Sequence, residues 1–141
     1  LFDLYPTLVA LAGGSLPDDH VLDGVDLSPR WLTADAAVPA RPLFWHFPGY
    51  LEASSRSGTW RTTPVSVVRE GDLKAMFWFE TRTWALYDLA ADINESRDLG
   101  PTRPDELRRI AAKLCAWLER TGAPMPRQQG GAAVPQPSVP Q

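Results

Sequence analysis

Apolar side chains recur every three or four residues over residues 2–12, which predicts a short amphipathic helix. Asp3 stands where an N-cap is expected, and Gly13-Gly14 supplies a stop. Residues 15–42 follow with many Pro, Asp and Gly residues and no sustained periodicity. This composition is typical of a long surface connection with little regular structure.

Short β-branched and aromatic runs then replace the helical pattern. The run "LFWHF" at 43–47 lies between prolines and predicts a strand that ends at Pro48-Gly49. Residues 51–63 are small and polar, as in a surface loop. Three further strand-like runs are separated by turn residues and predict an antiparallel meander, at 65–70, 73–79 and 83–89.

A second helix is predicted from Thr102, as a cap, to Gly122, as a stop, with Pro104 in its first turn. Its apolar face carries Leu107, Ile110, Leu114 and Leu118. These elements predict an α+β fold in which a small antiparallel sheet of about four strands packs against the C-terminal helix. Residues 127–141 are rich in Pro, Gln and Gly, which predicts a disordered tail.

Composition and charge limit the classes of partner. The 141 residues are 44% hydrophobic, enough to build a core, and carry a net charge of -3. Basic and acidic residues are interspersed, so we expect no nucleic-acid partner. No apolar run approaches the roughly 20 residues that cross a bilayer, so we expect no membrane partner. The chain opens inside a helical pattern without an initiator Met, and we expect the true start upstream.

Two further candidate sites, one for a metal ion and one for a catalytic Cys, are not supported by the sequence around them. The connection groups Asp18, Asp19, His20, Asp23 and Asp26, whose carboxylate oxygens would suit calcium or magnesium, but it has no EF-hand register. Cys115 lies one residue off the apolar stripe of the second helix and has no evident base, as is typical of a buried structural Cys. The two His and one Cys are also too few for a zinc site.

The candidate binding residues lie around the first strand and the polar loop that follows it. Trp60 is the Trp most expected to be exposed, and it lies near Arg56 and Arg61, whose guanidinium groups suit sulfate, phosphate or carboxylate. Solvated loop arginines are the alternative. His46, with Tyr50 nearby, faces either a covering layer or a cleft, because strand alternation separates it from Trp45 and Phe47.

Six motifs, taken in order over residues 1–127, resemble the C-terminal part of the sulfatases, in the alkaline-phosphatase-like superfamily. They are "DLYPTLVALAG", "LDGVDLSP", "RPLFWHFPGY", "RTTPVSVVREGDLK", "WALYDLAADINESRDL" and "TGAPMP". The resemblance implies that residues 1–42 are the end of a larger α/β domain that is missing here. Residues 43–126 would be the C-terminal subdomain, and 127–141 the tail.

The resemblance also implies a formylglycine-dependent, calcium-using arylsulfatase-type enzyme. In that family a Cys in a Cys-x-Pro/Ala-Ser-Arg motif becomes formylglycine beside calcium, whereas Cys115 is followed by Ala-Trp-Leu-Glu. Neither the catalytic residues nor the calcium ligands are therefore expected in this segment, which alone would be inactive. Its expected partners are the N-terminal sulfatase domain and a sulfated small molecule or carbohydrate, and the family implies a periplasmic or secreted protein.

The resemblance implies that the element around His46 borders the active-site cleft. Together with the candidates from the polar loop, this gives an expected substrate-binding set of His46, Tyr50, Arg56, Trp60 and Arg61. Gly49 replaces a second His that relatives often carry, which weakens any paired-histidine site. Two alternatives remain open: a non-catalytic module that binds sulfated carbohydrate, and a part of a related phosphodiesterase or phosphonate hydrolase.

Overall fold

The computed structural model describes residues 2–53, 58–128 and 130–141, except for the side chains of Glu52 and Ala53. The chain divides into two compact units, Leu1–Ala40 and Arg41–Gln141. The domain boundaries predicted from the sequence stay predictions. No helix among the described residues is long and apolar enough to cross a membrane.

The first unit contains two helices, α1 (Leu4–Leu11) and α2 (Ser28–Leu32). The second of them lies in the connection that was predicted to have little regular structure. It begins where Asp26 accepts two hydrogen bonds from Ser28, one from the backbone N–H at 2.7 Å and one from the hydroxyl at 2.9 Å. Pro29 then fills the first turn without needing a donor.

The start of α1 is tied to this connection through side chains. Asp3 occupies the predicted N-cap position, but its side chain makes no capping hydrogen bond. Its Oδ1 instead accepts a hydrogen bond of 2.8 Å from the N–H of Val25. Thr7 donates its hydroxyl to the Asp3 carbonyl at 2.6 Å. The chain passes so close that a Cβ on Gly24 would lie 2.1 Å from the Phe2 carbonyl oxygen, which explains the glycine.

The described residues of the second unit form six strands and one long helix. They are β1 (Leu43–Phe47), β2 (Leu51–Ala53), β3 (Trp60–Thr62), β4 (Val65–Glu70), β5 (Leu73–Trp78), β6 (Thr83–Asp88) and α3 (Pro104–Thr121). The sheet order is β1-β4-β5-β6, and every neighbouring pair is antiparallel. The predicted four-stranded sheet and its C-terminal helix are therefore confirmed.

The core of this unit lies between one face of the sheet and α3. The sheet contributes Val68, Ala75 and Leu86, and the helix contributes Leu107, Ile110, Leu114 and Leu118. This is the helical stripe that the sequence predicts. Phe44 extends the core by stacking on Trp117, with ring centroids 5.0 Å apart. Arg103 rather than Thr102 precedes α3, and Gly122 ends it with a left-handed φ of 59°.

A second, two-stranded sheet, β2–β3, lies in the segment predicted as a loop. Leu51 pairs with Thr62, and Ala53 pairs with Trp60. Strands of three residues are too short to show a hydrophobic alternation, so no local pattern indicates them. The predicted loop is wrong at both of its ends, and residues 54–57 lie outside the described part of the chain.

Beyond α3, the described part of the C-terminal segment makes contacts along its length. Arg127 bridges to Ala133, and the N–H of Val134 donates to the Pro126 carbonyl at 2.8 Å. Farther on, the indole N–H of Trp84 donates to the Ser138 carbonyl at 3.0 Å. The disorder predicted for 127–141 stays a prediction.

Candidate functional site

An open groove of about 890 Å³ lies within the second unit, a volume in the range of small-molecule sites. Its walls come from the β2–β3 hairpin, the β5–β6 connection and the segment after α3. The described lining includes Tyr50, Trp60, Phe79, Glu80, Arg82 and Arg127. The groove thus joins parts of the chain that are far apart in sequence.

Two exposed aromatic rings form one wall of the groove. Tyr50 precedes β2 and Trp60 opens β3, and the antiparallel pairing of these strands brings the rings to a centroid distance of 5.1 Å. Trp60 is 52% exposed and Tyr50 is 44% exposed. Exposed adjacent rings offer apolar faces on which the C–H face of a sugar can stack. The structure thus brings together two of the five predicted binding residues.

Tyr50 is held in place by a carboxylate. Its hydroxyl donates a hydrogen bond of 2.5 Å to Oε1 of Glu80, in the β5–β6 connection. This hydrogen bond, followed by desolvation and the negative charge of Glu80, raises the pKa of Tyr50 above its ordinary value. The phenol therefore stays protonated at neutral pH. Among the described residues no hydrogen bond reaches the second oxygen of Glu80, and a carboxylate oxygen can accept one from a ligand hydroxyl.

His46 lies behind the groove rather than on its lining. Its Nδ1 is 2.7 Å from the hydroxyl of the buried Ser66, and its Nε2 is 2.7 Å from the Pro124 carbonyl. A carbonyl only accepts, so Nε2 carries a proton, and in the neutral ring the Ser66 hydroxyl donates to Nδ1. The imidazole also meets Phe79 edge-on at 5.8 Å. Both nitrogens are engaged inside the unit, so a substrate contact through either requires one bond to break.

Of the two predicted arginines, Arg61 is not among the described residues that line the groove. Arg61 is exposed, and strand alternation directs it away from the face that carries Trp60. Arg56 lies outside the described residues. Arg82 and Arg127 line the groove instead. The sequence offered no signal for them, because one lies in a stretch read only as a turn and the other opens the predicted tail.

The described residues do not fit the metal or the formylglycine that the family resemblance implies. None of their His, Cys, Asp and Glu side chains form a group of three or more that could hold a metal ion. Desolvation raises the pKa of the Cys115 thiol, and its Sγ donates to the Pro137 carbonyl at 3.3 Å. A thiol that is kept protonated and bonded in this way is a structural group.

Comparison with known proteins shows the relationship. The chain is 33% identical over 136 residues to a sulfatase of Formosa agariphila, which covers 86% of this chain and 23% of that protein. It is 32% identical over 84 residues to the N-acetylgalactosamine-6-sulfatase of Canis lupus familiaris, covering 60% and 13% respectively. The chain therefore spans less than a quarter of the length of either relative. No protein-family model matches it.

Solved structures agree with the curated relatives. A 2-O GAG sulfatase superposes with a TM-score of 0.59 at 27% identity, covering 86% of this chain and 25% of that one. Ps i-CgsB, solved with k-i-k-neocarrahexaose, gives 0.62 at 23% identity, covering 82% and 23%, and shows the fold. A phosphonate monoester hydrolase of Agrobacterium radiobacter shares the fold at 0.55 and 23% identity, covering 96% and 28%. These matches confirm the motif resemblance: the chain matches the C-terminal part of sulfatases.

Proposed function

We propose that this chain is the C-terminal part of a sulfuric ester hydrolase, in which its groove forms one wall of the substrate cleft. The observation that carries the proposal is the 33% identity to a sulfatase over 86% of the chain. The sulfatase reading has stronger support than the phosphonate hydrolase reading, because the latter rests on a shared fold alone.

The division of labour in this proposal follows from what each part carries. In the full-length enzyme, formylglycine and calcium supply the nucleophile and the positive charge that cleavage of a sulfate ester needs. The described residues fit neither group, so this chain alone is inactive in our proposal. Its own residues bind and orient the part of the substrate beyond the ester.

A sulfated carbohydrate is the proposed substrate class. Two relatives carry names that specify such substrates, an N-acetylgalactosamine-6-sulfatase and a 2-O GAG sulfatase. The Tyr50–Trp60 wall suits a sugar ring, and Glu80 suits its hydroxyls. His46 acts in this proposal as a positioning residue for the groove wall. Direct contacts by Arg56 and Arg61 remain proposals from the sequence.

Hydrolysis of 4-nitrophenyl sulfate tests the enzyme assignment. We expect no sulfate release by the 141-residue chain, with or without added calcium. We expect turnover by a longer protein in which this chain follows a formylglycine-containing sulfatase domain, and loss of that turnover when the formylglycine Cys is changed to Ala. Metal-dependent turnover by the 141-residue chain would contradict the division of labour. A longer protein that contains formylglycine and calcium but releases sulfate neither from 4-nitrophenyl sulfate nor from sulfated oligosaccharides would contradict the assignment itself.

A non-catalytic module that binds sulfated carbohydrate is the second candidate, and one observation favours it. All described residues that line the groove belong to the second unit, so the groove does not need another part of the protein to be formed. Saturable binding of a sulfated oligosaccharide by the 141-residue chain, together with an inactive longer protein, would select the module over the enzyme.

A further inference from the structure

Arg82 adopts an unusual backbone conformation at the edge of the groove. It belongs to the four-residue connection between β5 and β6 and has a φ of 56°, in the left-handed region. Only Gly, and to a lesser degree Asn and Asp, enters this region at little cost. A bulky Arg is therefore the strained choice at this turn. Residues with strained backbone conformations are concentrated at active sites and ligand-binding sites, where the side chain serves a function.

The guanidinium group of Arg82 has no hydrogen-bond or ion-pair partner among the described residues. Glu80, the nearest carboxylate along the chain, is engaged by the Tyr50 hydroxyl. Arg127 supplies a second guanidinium to the same groove and is anchored by the bond from its Nη1 to the Gly131 carbonyl at 3.0 Å. Among the described lining residues, two cations and one engaged carboxylate thus lie beside the aromatic wall.

We propose that Arg82 and Arg127 form an anion subsite that binds a sulfate or carboxylate on a sugar ring next to the one stacked on Tyr50 and Trp60. The inference rests on the proposed groove function and deepens it. A guanidinium fork matches the oxygens of either anion with paired, charge-assisted hydrogen bonds. The preferred ligand is therefore an anionic oligosaccharide that carries charge on neighbouring sugars, rather than a monosaccharide sulfate or a small aryl sulfate.

Titration calorimetry on the 141-residue chain tests the subsite with a κ-carrageenan hexasaccharide and the same hexasaccharide after desulfation. Arg82→Gly removes the guanidinium and relieves the left-handed conformation. We expect an unchanged or higher melting temperature and a loss of about tenfold in affinity for the sulfated probe, with little change for the neutral probe. Arg82→Lys keeps the charge without the fork, and we expect it to recover part of the affinity.

The dependence of affinity on salt concentration distinguishes a direct ionic contact by Arg82 from a purely structural role. Binding of the sulfated probe should weaken with ionic strength, and less steeply for Arg82→Gly than for the unchanged chain. Arg97→Gln removes an exposed arginine that is not among the described residues lining the groove, and should leave both affinities unchanged. An oligogalacturonate of equal length carries only carboxylates and is titrated in the same way. The anion that the subsite prefers is the one whose probe loses more affinity when Arg82 is changed to Gly.

Failure of this inference can be told apart from failure of the groove itself. Trp60→Ala should weaken both hexasaccharides, whereas Trp31→Ala, equally exposed at 53%, should weaken neither. If both probes bind equally and Arg82→Gly changes neither, the anion subsite is wrong and the groove stands. If the unchanged chain binds neither probe, the proposal that the groove binds carbohydrate is wrong, and so is the proposal of an anion subsite within it.

Discussion

The two sides of the second unit are built on different principles. Between the sheet and α3, side chains such as Ile110 and Leu114 are fully buried, and they follow the regular periods of strand and helix. On the groove side, Trp60 and Tyr50 are about half exposed, and the walls come from a short hairpin, a turn and an irregular segment. One side stabilises the fold, and the other leaves apolar surface available for a ligand.

His46 connects these two sides. Its Nδ1 is bonded to Ser66 within the sheet, and its Nε2 is bonded to Pro124, directly before the segment that lines the groove. The imidazole therefore holds the irregular wall against the regular scaffold. A His at a strand end can thus fix the position of a groove wall without lining the groove.

The largest expected effect separates the scaffold from the exposed surface by using one residue type. Ile110→Ala removes a side chain with 0% exposure from the core and should lower the free energy of unfolding by about 2–5 kcal/mol, because it leaves a cavity. Ile93→Ala, at 74% exposure in the same unit, should change it by about 0.5 kcal/mol or less. Urea denaturation followed by tryptophan fluorescence measures both. Equal losses would show that α3 does not form the core.

An intermediate effect is expected for the connecting imidazole. His46→Ala should cost about 1–3 kcal/mol, because the buried Ser66 hydroxyl loses its partner. It should also speed hydrogen exchange at the amides of Gln128 and Val134 more than at those of β4 and β5. His46→Gln keeps a donor for the Pro124 carbonyl, so exchange at these two amides should be slower than in His46→Ala. If the exchange rates of these two amides are unchanged in His46→Ala, the imidazole does not hold the groove wall in place.

The same division explains what the sequence could predict. The strands at 43–47, 65–70 and 83–88 follow from local β-branched and aromatic runs bounded by turn residues, and the stripe on α3 follows from the helical period. The β2–β3 hairpin is too short to show one. Strand alternation at His46 correctly separates it from Trp45, but the Pro124 partner lies 78 residues away. No local pattern encodes such a contact.

The candidate site was predicted only where exposure could be inferred from composition. Trp60 stands among polar residues, so its exposure was expected and is confirmed at 52%. Arg82 was missed because a left-handed turn position favours Gly or Asn, and an Arg there looks like an ordinary solvated residue. Arg127 reaches the groove through contacts of the segment after α3 that depend on the whole fold.

The smallest effect tests whether surface charge or buried apolar area holds α3 to the sheet. The carboxylate of Glu70, on β4, accepts hydrogen bonds from Lys113 and Arg109 of α3. The bond from Lys113 contributes most, followed by that from Arg109, and together they lower the pKa of Glu70. Both cations are partly exposed, so each pair should contribute only about 0.2–1 kcal/mol.

Glu70→Gln should therefore lower the free energy of unfolding by about 1 kcal/mol at pH 7 and by less at high salt. Because the pKa of Glu70 is lower in the folded state, the ionised carboxylate contributes fully above the ordinary glutamate pKa of about 4.3. That contribution is lost as the pH falls through the folded-state pKa. Urea denaturation from pH 7 down to pH 2 should show the difference between Glu70→Gln and the unchanged chain shrinking toward zero. Glu119→Gln, on the exposed side of α3, should show no comparable loss at pH 7. A difference for Glu70→Gln that stays constant down to pH 2 would mean that the glutamate stabilises α3 through packing rather than charge.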